Sequence, residues 1–313
     1  MRLGPRKIGC VLPAALLAVI ALLLLGGFYL WARQTQSVAT LDRIDGWFTH
    51  GRHRLRASLG PDPTQQLYIY PNRGAEPLPV LVFVHGGSWN SGDPADYGFI
   101  ARNFAPQGYV VVLAGYRLGP KGRFPAMLED TAAAVAWAHR NAARYGGDPD
   151  RILLMGHSAG AYNAAMVALD PQWLGRQGMT SDMIAGVVGL AGPYDFYPFT
   201  TDAARQAFGH WPRPAETQPV NFALAKAPPM LLLTGSDDTS VRPRNSEKLA
   251  SALTAAGAPT RPIVLDGIGH AGILIRLAKP FDLSGETKRR VLAFLAERAE
   301  SAKASAPVQP PER

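Results

Sequence analysis

The feature that most constrains the fold of this chain is a series of short apolar runs separated by helical stretches. The first run, at 66–70, alternates along its length, whereas the later runs are almost continuously apolar and rich in branched residues. These later runs lie at 78–85, 109–113, 151–155, 184–190, 230–234 and 262–265. Strands that are apolar on both faces are typical of a parallel sheet covered by helices on both sides.

The segments between these runs have helical periodicity. In the clearest, 125–145, apolar residues recur every three or four positions and so define one helix face: Leu128, Ala132, Val135, Ala138 and Ala142. Gly146 and Gly147 predict its end. Residues 243–256 and 286–300 predict two further helices. The alternation of strands and helices predicts an α/β domain with a mainly parallel sheet.

Composition and charge exclude several other classes of protein. Hydrophobic residues make up 47% and charged residues 18%, so the bulk of the chain is not predicted to be disordered. The single cysteine, Cys10, can form neither an internal disulfide nor a cysteine-rich zinc site. The net charge of +8 would suit nucleic acid, but the chain has no nucleic-acid-binding motif. We therefore expect no nucleic-acid partner.

The N-terminal region has the pattern of a membrane anchor. Residues 8–32 carry no charge, and as a helix they would measure about 37 Å, enough to cross a hydrocarbon core of about 30 Å. Arg2, Arg6 and Lys7 precede this run. By the positive-inside rule, residues 1–7 are then cytoplasmic and the rest of the chain is extracytoplasmic, or periplasmic in a bacterium.

A cleaved signal peptide is the alternative, with the small residues at 37–39 as its cleavage site and a secreted domain as its product. Signal peptides have apolar regions of about 7–15 residues, and the longer run here favours the anchor. We predict a polar stem at 33–50, one α/β domain at 51–300 and a disordered tail at 301–313.

A candidate nucleophile lies directly after one of the predicted strands. Residues 156–160 read Gly-His-Ser-Ala-Gly and match G-x-S-x-G, between the apolar run at 151–155 and a helical stretch. A sharp strand-to-helix turn would expose the hydroxyl of Ser158, while Gly156 and Gly160 would allow close approach of the backbone. An ordinary Gly-Ser turn before a helix is the plain alternative.

A candidate oxyanion loop follows an earlier strand. Residues 85–89 read His-Gly-Gly-Ser-Trp. An oxyanion needs backbone N–H donors about 2.7–3.1 Å away, and glycine permits that approach. We expect these donors to come from Gly87, Ser88 and Ala159, with Gly86 as an alternative to Ser88.

The general base and its orienting acid are sought on loops that follow the late strands. His270 lies in a glycine-rich loop just after the run at 262–265, whereas His210, the other histidine after the nucleophile, lies in a polar, proline-rich segment. Asp237 and Asp238 both follow the preceding strand. Either carboxylate could orient the imidazole of His270, and the chemistry of the residues alone does not choose between them.

Taken together, these motifs resemble the α/β-hydrolase superfamily over residues 62–298, in its esterase/lipase branch near the hormone-sensitive-lipase, BD-FAE and kynurenine-formamidase-like enzymes. The matching segments are HGGSW at 85–89, YRL at 116–118, FPAMLED at 124–130, YGGDPDRI at 145–152, GHSAG at 156–160, GSDDTSV at 235–241 and GIGH at 267–270. The resemblance implies an α/β-hydrolase fold, and its G-x-x-D-x-x-V pattern selects Asp238 as the acid. Ser88 departs from the HGGG pattern of the hormone-sensitive-lipase type.

Residues 192–229 form a predicted short cap between two strands. This segment is rich in aromatic residues: Tyr194, Phe196, Tyr197, Phe199, Phe208 and Trp211. Such residues could line an apolar substrate pocket or pack into a small core of their own. We take Trp89, His157 and Tyr194 as candidate pocket residues.

The predicted function is a membrane-anchored serine hydrolase that cleaves small-molecule carboxylic esters through an acyl-enzyme. Its triad is Ser158, Asp238 and His270, and no metal or organic cofactor is implied. Two alternatives remain open at this point. One is an arylformamidase-like amidase with the same machinery, and the other is an inactive hydrolase fold that serves as an extracytoplasmic binding module.

Overall fold

The computed structural model describes residues 38–282 and 284–305, together with the single positions Leu16 and Val19. Within these residues one eight-stranded sheet has the order β1-β2-β4-β3-β5-β6-β7-β8. Its strands are β1 (Leu55–Ser58), β2 (Gln66–Tyr70), β3 (Leu78–Val84), β4 (Val110–Ala114), β5 (Gly147–His157), β6 (Ile184–Leu190), β7 (Met230–Gly235) and β8 (Pro262–Leu265). The strands β3 to β8 pair in parallel, whereas β2 pairs antiparallel with both of its neighbours, β1 and β4. The predicted mainly parallel sheet is confirmed.

Helices connect most of these strands. They are α1 (Val38–Phe48), α2 (Gly98–Phe104), α3 (Ala126–Asn141), α4 (Ala159–Leu169), α5 (Pro171–Gly175), α6 (Asp202–Phe208), α7 (Arg244–Ala255), α8 (His270–Ile275) and α9 (Glu286–Ser305). The α3 helix ends at Asn141 and is followed by a 3-10 turn at Ala142–Tyr145. Gly146 ends this turn, as predicted, with a φ of 85° that favours glycine. The α9 helix continues five residues beyond the predicted end at 300, so the prediction of a disordered tail was wrong for residues 301–305, which extend this helix.

Both faces of the sheet are buried, which accounts for the continuously apolar strands. Along β3, Val80, Val82 and Val84 belong to one core, which includes apolar residues of α3 and α4. Leu81 and Phe83 point to the other core, which includes residues of α2 and α9. A strand with both faces covered leaves no position for a polar side chain, so alternation is lost.

The predicted polar stem at 33–50 contains a helix, α1, that is part of the folded domain. Asp45 of this helix is completely buried. Its carboxylate accepts hydrogen bonds from Arg102 Nε at 2.8 Å, Asn103 Nδ2 at 2.7 Å and the backbone N–H of Lys279 at 2.8 Å. The two acidic residues of this helix, Asp42 and Asp45, therefore bond to partners distant in sequence, so their polarity did not indicate solvent.

The apolar segment at 8–32 and the ends of the chain at 1–7 and 306–313 lie outside the described residues, apart from Leu16 and Val19. The membrane anchor therefore stays a prediction from sequence. Among the helices that the structure does describe, none has the length and apolar character needed to cross a bilayer.

Replacing Asp45 with alanine is expected to lower the free energy of unfolding by about 2–3 kcal/mol, because Arg102 and Asn103 would lose a buried, charged partner. Chemical denaturation of the purified chain measures this change. The matched control is Asp150→Ala, since Asp150 is exposed and outside this network. Equal stability of the two variants would show that the buried contacts of α1 contribute little.

Candidate active site

The turn at Ser158 joins β5 to α4 and places the serine at the carboxyl edge of the sheet. Ser158 has a φ of 54° and a ψ of −121°, a conformation that L-residues rarely adopt. The glycines on either side make the turn possible. A Cβ at Gly160 would collide with the carbonyl oxygen of Val84, and one at Gly156 with the backbone of Gly160. The G-x-S-x-G spacing is thus a packing requirement of this turn.

The structure brings Ser158, His270 and Asp238 into one hydrogen-bonded line. His270, the first residue of α8, has its Nε2 at 2.9 Å from Ser158 Oγ and its Nδ1 at 2.7 Å from Asp238 Oδ2. A carboxylate only accepts, so Nδ1–H must donate to Asp238, which leaves Nε2 free to accept from the serine hydroxyl. This tautomer is the one in which the imidazole can take a proton from Ser158.

Asp238 rather than Asp237 lies beside the imidazole. Its side chain is completely buried, and its Oδ1 accepts hydrogen bonds from the backbone N–H groups of Ser240 and Val241, at 3.0 and 2.8 Å. Asp237 is exposed and accepts a hydrogen bond from Ser236. The two neighbouring carboxylates, which residue chemistry could not separate, therefore differ sharply in burial and in partners.

Two further histidines lie beneath the site and stay neutral. His157 contacts the backbone carbonyl of His270 through Nε2 at 3.1 Å, and burial lowers the pKa of His157 to about 3. His85 donates from Nδ1 to the carbonyl of Gly86 at 2.7 Å, and burial lowers its pKa to about 4. Because burial disfavours the imidazolium form, both rings support neighbouring loops without carrying charge.

The loop that follows β3 lies against Ser158. Ser88 and Ala159 line the same cavity as Ser158, while a Cβ at Gly86 would lie 3.3 Å from that of Ser158. Gly87 lies within the same turn, where its carbonyl accepts hydrogen bonds from the N–H groups of residues 90 and 91. Its φ of 120° is open to glycine, whereas the positive φ values of Ser88 (54°) and Trp89 (58°) are ones that residues with a side chain rarely adopt.

A cavity of about 710 Å³ opens in front of Ser158 and His270. Trp89 lines it as predicted, but the other two candidate pocket residues do not. His157 lies beneath His270, and Tyr194 is completely buried with its hydroxyl packed against Gly189 and Gly192. These two expectations were wrong because the side chains point into the protein interior, which a motif or an aromatic count does not reveal.

Some aromatic residues of the cap line the cavity, and others pack into a small core, so both interpretations left open by the sequence apply. Phe196 and Tyr197 line the cavity, and Phe196 stacks on Trp89 with ring centroids 5.9 Å apart. Phe208 is completely buried and packs edge-on against Trp89 at 4.7 Å. The segment at 192–229 therefore builds a small core of its own and also supplies one wall of the cavity.

Sequence reasoning missed the polar wall of the cavity. Its residues belong to the segment after Asp238 and to the start of α7: Thr239, Ser240, Arg242, Arg244 and Asn245. The G-x-x-D-x-x-V pattern at 235–241 indicates the role of Asp238 alone, and it ends before Arg242, Arg244 and Asn245. Among the described residues, no group of His, Cys, Asp or Glu is arranged to hold a metal ion.

Comparisons with known proteins give the fold and the class. The carboxylesterase EstE1, cloned from a metagenomic library, matches with a TM-score of 0.67 and 22% identity over 89% of this chain and 97% of EstE1. Esterase LipC of Mycobacterium tuberculosis is 30% identical over 80% of this chain and 67% of LipC. A probable isoprenylcysteine alpha-carbonyl methylesterase of Oryza sativa, ICME, is 27% identical over 83% of this chain and 70% of ICME.

The fold is that of the α/β-hydrolase esterases, and the chain is a carboxylic ester hydrolase. The BD-FAE family model matches residues 66–253, well over half of the chain, so the chain belongs to the BD-FAE family. The resemblance drawn from the sequence motifs is confirmed.

Replacing His157 with glutamine is expected to make the protein less sensitive to acid. The folded-state pKa of about 3 lies below the ordinary value of 6.5, so only the unfolded state binds this proton between those values. The wild type therefore loses about 2 kcal/mol of stability from this group between pH 7 and pH 5.

Denaturation curves at pH 7 and pH 5 measure this difference. The variant His157→Gln should lose less stability on acidification than the wild type, while the exposed control His53→Gln should behave like the wild type. An unchanged acid sensitivity in His157→Gln would contradict the neutral, buried state of this ring.

Proposed function

We propose that the chain hydrolyses carboxylic esters through an acyl-enzyme on Ser158. The most direct support is the position of the His270 imidazole, which lies within hydrogen-bonding distance of both Ser158 Oγ and Asp238 Oδ2. A serine hydroxyl is a weak nucleophile until a neighbouring base accepts its proton as attack occurs. His270 is the base, and Asp238 holds it in the reactive tautomer and stabilises the imidazolium.

The reaction proceeds in two balanced halves. In the first, Ser158 Oγ forms a bond to the acyl carbon and its proton moves to Nε2 of His270. The bond to the alcohol oxygen then breaks, and the imidazolium donates its proton to the departing alcohol. In the second half, water gives a proton to His270 and its oxygen attacks the acyl carbon, after which the proton returns to Ser158 and the acid leaves.

Negative charge that develops on the acyl oxygen is stabilised by backbone N–H groups of Gly87, Ser88 and Ala159. The position of Ser88 and Ala159 beside Ser158 in the cavity supports this assignment. Ala159 is also the first residue of α4, whose dipole favours negative charge at its N-terminus. One such donor contributes about 3–4 kcal/mol to transition-state stability in serine hydrolases.

The substrate that fits best is a small-molecule ester with an apolar part. The cavity of about 710 Å³ is in the range of small-ligand sites, and Trp89, Phe196 and Tyr197 supply an apolar wall. The relative ICME is by name a probable isoprenylcysteine alpha-carbonyl methylesterase, in agreement with a compact leaving alcohol. We therefore propose an ester of a small alcohol whose acyl or aryl group contacts this apolar wall.

An assay with p-nitrophenyl acetate tests the acyl-enzyme route. The wild type should release a burst of nitrophenolate followed by steady turnover, and a fluorophosphonate should label Ser158. Ser158→Ala should lose burst and labelling, with kcat lowered at least about a thousandfold. Ser251→Ala, on the exposed side of α7, serves as the control.

Two results would contradict the proposal. Turnover that persists in Ser158→Ala would mean that another group attacks the ester. A clear preference for an aryl formamide over the matched aryl ester would favour the amidase alternative.

The same assay distinguishes the role of Asp238 from that of Asp237. Asp238→Asn should lower kcat by a factor on the order of 10³–10⁴, because an amide stabilises the imidazolium poorly and can hold the wrong tautomer. Asp237→Asn should retain nearly full activity, since Asp237 is exposed and does not contact His270. Similar losses in the two variants would refute the assignment of Asp238.

A further inference from the structure

Two arginines line the cavity in front of the nucleophile. Arg242 lies four residues beyond Asp238, and Arg244 is the first residue of α7. Both residues are exposed, and within the described part of the chain neither guanidinium forms an ion pair or hydrogen bond. An arginine offers several N–H donors in a planar fork that matches the geometry of carboxylate and phosphate oxygens.

The nearby acidic side chains are already engaged. No Asp or Glu is among the described residues that line the cavity. Asp238 is buried behind His270 and bonded to it. Asp195, in the cap, pairs with Lys248 at 2.5 Å. The cavity wall around Arg242 and Arg244 therefore carries positive charge that no lining side chain neutralises.

The backbone that carries these arginines is held in a defined position relative to the imidazole. Asp238 Oδ1 accepts from the N–H of Val241, so the carboxylate that orients His270 also fixes the start of this segment. Asn245 then bonds to the carbonyl of Arg242 through both its backbone N–H at 3.0 Å and its Nδ2 at 3.2 Å. The backbone on either side of Arg242 is thus hydrogen-bonded in place, while the side chains of Arg242 and Arg244 are exposed and accessible to a ligand.

The same asparagine joins the polar wall to the cap. Asn245 Oδ1 accepts hydrogen bonds from the backbone N–H groups of Tyr194 and Asp195, each at 3.0 Å. The arginine wall and the cap that carries Phe196 are therefore positioned by one side chain. The cavity has an aromatic side and a cationic side, with Ser158 in contact with the same space.

We infer that the preferred substrates are carboxylic esters that carry an anionic group, a carboxylate or a phosphate or sulfonate, away from the ester bond. Arg242 and Arg244 bind this group, while Trp89 and Phe196 contact the apolar part. This inference rests on the proposed ester hydrolysis at Ser158 and adds to it the charge of the substrate. Neutral esters remain substrates of the same site, with lower kcat/KM.

Two pairs of esters test the inference, because the anion could lie on either side of the ester bond. The first pair is 4-acetoxybenzoate and 4-acetoxybenzamide, which places the charge on the leaving alcohol. The second pair is the mono-p-nitrophenyl ester of adipic acid and the p-nitrophenyl ester of adipic acid monoamide, which places the charge on the acyl group. The readout is the ratio of kcat/KM for the charged ester to that for its neutral partner.

The variants are Arg242→Gln, Arg244→Gln and the double variant. In at least one pair, the double variant should lower the charged-to-neutral ratio about tenfold relative to the wild type. Added salt should lower the same ratio in the wild type, because both guanidinium groups are accessible to solvent. The control is Arg261→Gln with Arg289→Gln, which removes the same net charge from exposed positions away from the cavity.

Each outcome decides one question. A ratio that stays unchanged in the double variant for both pairs, or that falls equally in the control, overturns the anionic-substrate inference while ester hydrolysis stands. Failure of the wild type to hydrolyse either neutral ester would instead contradict the proposed function, and the inference would fall with it. Loss confined to one pair would assign the anion to that side of the ester bond.

Discussion

The strand-to-helix turn at Ser158 is the constraint on which the rest of the site depends. Its positive φ is tolerable only because the turn is clamped between the end of β5 and the start of α4, with Gly156 and Gly160 admitting neighbouring backbone. The turn lifts the hydroxyl above the carboxyl edge of the sheet, where the loops after β3, β7 and β8 converge. Ligand sites in parallel sheets form at this edge for the same geometric reason.

Two buried carboxylates join segments that are distant from one another in sequence. Asp238 bonds to His270 and also to the backbone of the segment that carries the arginines, so one side chain both orients the imidazole and holds the cavity wall. Asp45 acts in a comparable way at the N-terminal side, where it joins α1 to α2 and to the backbone at Lys279. A buried charge is costly unless each oxygen has partners, and both aspartates meet that condition.

The cavity itself has an uneven chemical character. Aromatic residues of the cap and the oxyanion loop form one side, and the start of α7 forms a polar, cationic side. Both sides meet at Asn245, whose amide bonds to the cap and to the arginine segment. In the proposed function these walls select the substrate, whereas the hydrogen-bonded line through His270 carries out the reaction. The fold and the reaction class therefore do not determine the substrate, whereas the residues of the cavity walls restrict which substrates fit.

The sequence by itself determined the parallel sheet, the turn at Ser158 and the loop of His270, because strand periodicity and glycine spacing are local properties. The family pattern selected Asp238, and the structure shows the burial and hydrogen bonds that distinguish it from Asp237. Only the tertiary structure decided that the stem contains α1 and that Arg242 and Arg244 line the cavity. Burial and ion pairing depend on partners far along the chain, as with Asp45 and Arg102. Tyr194 is completely buried, and its sequence context did not reveal this, because an aromatic residue that lines a pocket and one that fills a core have the same sequence pattern.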